Sequence, residues 1–113
     1  MHSGEGDAAA ARDELKEAER LAPRMSEVFQ VKGELALAEQ SFDAAVKDFD
    51  RAIALDRTNP IPFVDKGLAL LQTSPMEAPQ ARTLFEKALE ADPQCMVAHM
   101  RLAEIRLQMA TTF

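Results

Sequence analysis

Cysteine is nearly absent, and the one residue, Cys95, can neither close an internal disulfide nor supply a multi-cysteine zinc site, so a reducing compartment is permitted. Its plain reading is a small residue just ahead of a helix. Histidine is almost as scarce: His2 lies in the N-terminal tail, and His99 stands alone at a packing position rather than as a base or a metal ligand. There is no G-x-x-x-x-G-K-[ST], G-x-S-x-G, H-E-x-x-H or calcium-loop pattern, so no catalytic residue, metal or cofactor is implied. Asp48 and Asp50, two apart on a helix, point to different sides and face water. No stretch approaches the roughly 20 apolar residues of a membrane span, and the N-terminus is acidic where a transit peptide is rich in arginine. Basic charge is short as well. The formal net charge is −6, with Lys and Arg interspersed among acids, whereas a nucleic-acid partner needs them clustered. No alternating run of Val, Ile, Thr or Tyr marks a strand. What remains is abundant alanine, scarce glycine and six prolines placed mostly where helices begin or end, which predicts an all-α chain.

Within that composition two stretches say the same thing. Phe29-x-x-x-Gly33 with Ala45-x-x-x-Phe49-x-x-Ala52 is restated as Phe63-x-x-x-Gly67 with Ala81-x-x-x-Phe85-x-x-Ala88. Gly33 to Gly67 is a step of 34 residues and Ala52 to Ala88 a step of 36, the extra two falling in the turn between paired helices. The period and the Gly/Ala spacing resemble the tetratricopeptide repeat (TPR) family. The resemblance implies an α-solenoid of about six antiparallel helices in a right-handed superhelix, a fold that suits a short chain because every contact is local.

Read along the chain, residues 1–6 carry no periodicity and form a disordered tail or a cloning remnant. Asp7 caps a helix over 7–22, in which Ala11, Leu15, Ala18 and Leu21 share a face with the spacing of the second helix of a repeat. A full repeat covers 26–59, with Ser26 and Ser41 as helix caps, and a second covers 60–95. Pro60 or Pro62 sits in the first turn of its helix, and Pro79 in the first turn of the next. A first helix alone covers 96–109, with His99 in the slot of Phe29 and Phe63 and Ala103 in the slot of Gly33 and Gly67. Read this way the chain is half a repeat short at each end. The apolar face of the last helix, including Leu102, Ile105 and Met109, then lacks its cover, and self-association through a terminal helix is expected. The six methionines are scattered and read as gap-fillers.

In a superhelix of this kind the first helix of each pair lines the concave face through repeat positions 2, 5, 6, 9, 12 and 13. Three rows result: Glu27, Gln30, Val31, Glu34, Leu37 and Ala38; Ile61, Val64, Asp65, Leu68, Leu71 and Gln72; Val97, Met100, Arg101, Glu104, Leu107 and Gln108. The surface is mainly apolar with a few acids. TPR domains that receive the C-terminal carboxylates of chaperones resemble one another in a clamp of Lys, Asn and Arg at positions 2, 5, 6 and 9. Here only Arg101 carries a suitable charge. The rows better suit an apolar or amphipathic segment bearing basic residues, or else they pack against further repeats.

A narrower resemblance rests on F-V-D-K-G-L-A-L-L-Q (63–72), F-E-K-A-L-E-A-D-P-Q-C (85–95) and A-x-x-x-L-A-E-I-R-L-Q (98–108). Over roughly 26–109 these are similar to the C-terminal repeats of the large TPR receptors of the mitochondrial outer-membrane import translocase. The resemblance implies a non-enzymatic module on the cytosolic face of that membrane. It would hold hydrophobic preproteins or their targeting segments, with the chaperone clamp and the membrane anchor upstream. A generic TPR scaffold or co-chaperone domain is the other reading, and an enzyme with an appended repeat module the third.

Overall fold

Alanine and leucine favour helix throughout, and proline marks the starts of two of the helices. The computed structural model describes residues 4–111, which contain helix and turn and no strand. Six α-helices follow one another: α1 (Gly4–Leu21), α2 (Ser26–Ala38), α3 (Phe42–Leu55), α4 (Ile61–Thr73), α5 (Ala78–Ala91) and α6 (Met96–Ala110), with a single 3-10 turn at Pro75–Glu77. Pro62 and Pro79 each occupy the second position of their helix, where the missing N–H has no helical partner to lose. Each helix packs on the next, and short turns reverse the chain between them, giving a stack of 47 × 34 × 21 Å. The most extensive pairings are α2 with α3 and α4 with α5, the two repeats expected from the spacing.

Glycine and phenylalanine explain those pairings together. A Cβ placed on Gly33 would lie 2.4 Å from Cε1 of Phe49, and one on Gly67 would lie 2.7 Å from Cε1 of Phe85. Each phenyl ring therefore lies against bare backbone of the partner helix. Phe49 and Phe85 are 0% exposed, as are the flanking Ala45, Ala52, Ala81 and Ala88, so small and large side chains interlock along both seams. Burying one such ring contributes about 1.5–3 kcal/mol. Between the repeats, Ile53, Phe63, Val64, Phe85, Cys95, Ala98, Leu102 and Ile105 form one continuous buried cluster, so that Leu102 and Ile105, expected to lack cover, are buried within the chain and of the three only Met109 is exposed. The cationic groups of Arg51 and Lys32 lie over the ring of Phe29, 5.5 and 5.1 Å from its centre.

Several local expectations are corrected. Helix α1 begins at Gly4, ahead of the cap expected at Asp7, so the tail expected over residues 1–6 is helical from residue 4; residues 1–3, with His2, lie outside the described residues. Neither Ser26 nor Ser41 caps its helix with its side chain. Ser26 is instead the first helical residue of α2, buried, and its hydroxyl donates to the carbonyl of Ala52 at 2.9 Å, tying α2 to the end of α3. His99 holds the aromatic slot in register but is exposed, and its Nε2 donates to the Pro93 carbonyl at 2.9 Å. The reason is that no second helix packs over this face of α6 among the described residues. Asp48 is half-buried rather than solvated, and burial raises its pKa, while Asp50 pairs with Lys66 of α4 at 2.6 Å. Helix α1 is held to α2 by the Lys32–Glu19 pair at 2.7 Å and by Arg12 with Glu39.

Candidate peptide-binding groove

Repeat register places α2, α4 and α6 on one side of the stack as first helices. Helix α2 touches α4 directly, and α3 and α5 have no comparable contact. This side, the inner face, is lined by α2 and α4, with α6 continuing the series. Along α2, Glu27, Val31, Glu34 and Ala38 are exposed, with Gln30 and Leu37 half-buried beside them. On α4, Ile61, Asp65, Leu68 and Leu71 are half-buried and Gln72 is exposed. Met100, Val97, Glu104, Leu107 and Gln108 of α6 are exposed, and Arg101 is half-buried.

Val64 departs from the expected row. It is 1% exposed and belongs to the buried cluster with Ala98 and Leu102, so it supports the groove from beneath and offers no surface to a ligand. Position 5 of the repeat lies on the border between the inner row and the inter-repeat core, and in the first repeat the same position holds the half-buried Gln30.

Polar groups along the groove are tied to one another. Asn59 accepts from the Ile61 amide at 3.1 Å and donates through Nδ2 to Oε1 of Gln30 at 2.7 Å; Gln30 in turn donates to Glu34 at 3.1 Å. This relay runs from the α3–α4 turn to the middle of α2. Glu34 and Asp65 are close enough for their charges to interact. Burial, and then the negative charge of Glu34, push the Asp65 carboxyl up to about 6, with Arg101 pulling the other way. Arg101 shares its positive charge with Glu104 at 3.1 Å. The inner face thus carries an under-compensated acidic centre bordered by Ile61 and Leu68.

One end of the groove deepens into a cavity of about 340 Å³ lined by Leu37, Ala38, Gln40, Phe42, Leu68, Gln72 and Arg101. Gln40 and Phe42 stand outside the rows expected from the repeat register, because Gln40 lies in the α2–α3 turn and Phe42 opens the second helix α3. Gln40 has φ 63°, and the Ser41 amide bonds the Ala36 carbonyl at 2.8 Å while the Gln40 amide bonds Leu37 at 3.0 Å. This is the left-handed helix ending usually supplied by glycine. The Glu-Gln-Ser triplet between two apolar stripes marks a turn but not its hand. Elsewhere, among the described residues no group of three His, Cys, Asp or Glu could hold a metal ion, and no helix is long and apolar enough to cross a membrane.

The tetratricopeptide repeat model matches residues 2–60 and 77–108. The chain belongs to the tetratricopeptide repeat family. Among curated TPR relatives, the human mitochondrial import receptor subunit TOM70 is 28% identical over 99 residues, covering 88% of this chain and 16% of that protein. The chain therefore spans about a sixth of the length of this relative. Among solved TPR structures, yeast Tom70 is 30% identical with a TM-score of 0.76, over 85% of this chain and 21% of that one. The first TPR domain of Spaghetti (RPAP3) bound to the HSP90 peptide SRMEEVD has a TM-score of 0.81 at 20% identity, over 96% of this chain and 84% of that one, a likeness of fold alone. A TPR domain is a protein-interaction scaffold, and this one is related to import receptors.

Proposed function

We propose that this TPR domain is a non-enzymatic binding module whose groove holds an extended or amphipathic protein segment that is apolar and carries basic residues. The observation that carries this reading is the Asp65 carboxyl, half-buried beside Glu34 and bordered by Ile61 and Leu68, with Arg101 offsetting only part of the charge. A Lys or Arg of the ligand placed there would relieve the repulsion, while Val31, Leu37, Leu71, Val97 and Met100 receive apolar side chains. The similarity to TOM70 supports a parent protein that acts as an import receptor on the cytosolic face of the mitochondrial outer membrane, holding preproteins delivered by chaperones. Cytosolic chaperones would then engage regions outside these residues.

A second reading, capture of an acidic chaperone tail, is favoured by the fold shared with the HSP90-bound RPAP3 domain and by Arg101 in the cavity. One titration separates the two. A basic amphipathic targeting peptide and an acidic chaperone C-terminal peptide are each titrated by calorimetry at two salt concentrations. The groove reading expects the basic peptide to bind, with affinity falling as salt rises, and the acidic peptide to bind at least tenfold more weakly. Tighter binding of the acidic peptide overturns it. Leu68→Lys should weaken the basic peptide about tenfold by placing a like charge against it. Unchanged affinity would mean that this face packs against other repeats and does not receive a ligand.

A further inference from the structure

The packing of the repeats leaves one phenyl ring unused. Phe29, Phe49, Phe63 and Phe85 are buried, whereas Phe42 is half-buried and joins neither hydrophobic cluster. Its place in the second repeat, 36 residues on, is taken by Ala78, so the interlocking seams do not need a ring there. Phe42 stands instead in the wall of the cavity at the end of the groove, beside the half-buried Leu37 and Leu68. Gln40, Gln72 and Ala38 line the same cavity and are exposed, which places them at its mouth. The walls come from α2, α3 and α4, each packed between other helices, with Arg101 added from α6.

A volume of about 340 Å³ admits one large side chain, and the charges around it select which. A carboxylate would meet Arg101, but that guanidinium already gives Nη1 to Glu104 at 3.1 Å, and the charges of Glu34 and Asp65 share its neighbourhood. Three acids around one arginine repel a fourth. A lysine or arginine would bring its charge against Arg101, when the Glu34–Asp65 centre offers it a better place. An aliphatic side chain suits Leu37, Phe42 and Leu68, yet it desolvates the guanidinium and the glutamine amides and gives them nothing in return. Tyrosine answers all of them. Its ring packs on Phe42 and the two leucines, its π-face attracts the Arg101 cation, and its hydroxyl reaches the amides at the mouth. Arg101 has hydrogen-bonding capacity to spare, since its Nε is buried and bonds no group of the described residues.

We propose that this cavity is an aromatic subsite of the groove. It takes one tyrosine side chain, or less well a phenylalanine, of a bound protein segment whose neighbouring Lys or Arg faces Glu34 and Asp65. The inference rests on the groove reading and sharpens it, from an apolar segment with basic residues to one that carries an aromatic residue close to a basic one. The basic residue supplies attraction to the acidic centre, and the aromatic residue fixes which stretch of the segment sits there.

Calorimetric titration of the whole chain tests it, with a basic amphipathic peptide in which tyrosine, leucine or glutamate is walked through the apolar positions. At one position tyrosine should bind roughly three- to tenfold more tightly than leucine, the size of an aromatic contact beside a partly desolvated cation, and glutamate more weakly than either. Ala38→Phe sets a ring at the exposed mouth, and Arg101→Met keeps the aliphatic stem and removes the charge. In each variant the tyrosine-to-leucine ratio should fall toward one, with helical circular dichroism unchanged. p-Cresol, the tyrosine side chain alone, probes the cavity without a peptide. At a concentration on the order of 10 mM it should shift the amides of Gln40 and Phe42 and the methyls of Leu37 and Leu68 in NMR spectra, and Ala38→Phe should abolish those shifts. Peptides that bind with tyrosine no better than leucine at every position overturn the subsite and leave the groove reading standing. A series that does not bind at all overturns both. An advantage for glutamate over tyrosine also overturns the subsite, in favour of carboxylate capture, and so does p-cresol that shifts no residue of the cavity.

Discussion

Replacing Asp65 with asparagine separates the cost of the acidic centre from its use. The side chain keeps its shape and loses its charge. In the folded chain the carboxyl titrates at about 6 against an ordinary 3.8, because burial and Glu34 disfavour the ionised form. Two pH units correspond to about 3 kcal/mol at 1.36 kcal/mol per unit, and solvent access to this half-buried group reduces that to about 1–2 kcal/mol. A carboxyl whose pKa is raised by folding opposes folding only when it is ionised. Stability should therefore fall as pH rises from 3.8 through about 6, and the penalty is complete above that. Asp65→Asn should accordingly raise the melting temperature by roughly 5–10 °C at pH 8, as expected for about 1–2 kcal/mol in a chain of this size. At pH 3.5, where the native side chain is already neutral, the gain should vanish. Calorimetric melts of both proteins at the two pH values give the answer. An equal gain at both values, or none at pH 8, would refute the assignment of an electrostatic cost. In the same variant a basic peptide should bind more weakly at pH 8, since the charge that destabilises the free domain is the one that attracts the ligand.

The seams offer sharper steric tests. Gly33→Ala should destabilise by about 1–2 kcal/mol, overpacking against Phe49 outweighing the roughly 1 kcal/mol gained in helix propensity, and Gly67→Ala should cost less because its contact is looser; denaturant midpoints that reverse this order would contradict the packing account. Gln40→Gly should stabilise by about 0.5–1 kcal/mol by relieving the left-handed backbone, and a loss of stability would show that the Gln40 side chain contributes more than the strain costs. Ser26→Ala should cost about 0.5–1 kcal/mol, at the low end for a buried bond, because the Ala52 carbonyl keeps its bond from the Asp56 amide; urea titration measures it, and a loss above about 3 kcal/mol would mean that the hydroxyl does more than bridge two helices.

The repeat was legible because it is written in side-chain volume. Gly33 against Phe49 and Gly67 against Phe85 are a spacing in sequence before they are a contact in space. Which inner-row residues stay open was less legible. Val64 and Gln30 share one repeat position, and neighbours decide their fates: Val64 is covered in the buried cluster with Ala98 and Leu102, whereas Gln30 is engaged by Asn59 from the following turn. The serines misled for a related reason. Ser26 looks like a cap locally, but the carbonyl of Ala52 from another helix takes its hydroxyl. His99 was placed correctly in register and wrongly in environment, because a packing slot is buried only when the second helix is there to fill it. Gln40 and Phe42 enter the cavity through a backbone hand that composition does not encode.

In the proposed function the inner face of α2, α4 and α6 receives a basic, apolar segment. Residue-resolved NMR during titration with a basic amphipathic peptide addresses it most directly. Amide shifts should concentrate at Val31, Glu34, Asp65, Leu68 and Met100, with Lys47 and Lys87 on the exposed sides of α3 and α5 unmoved. Shifts that cluster on α3 and α5 while the inner row stays silent would contradict it.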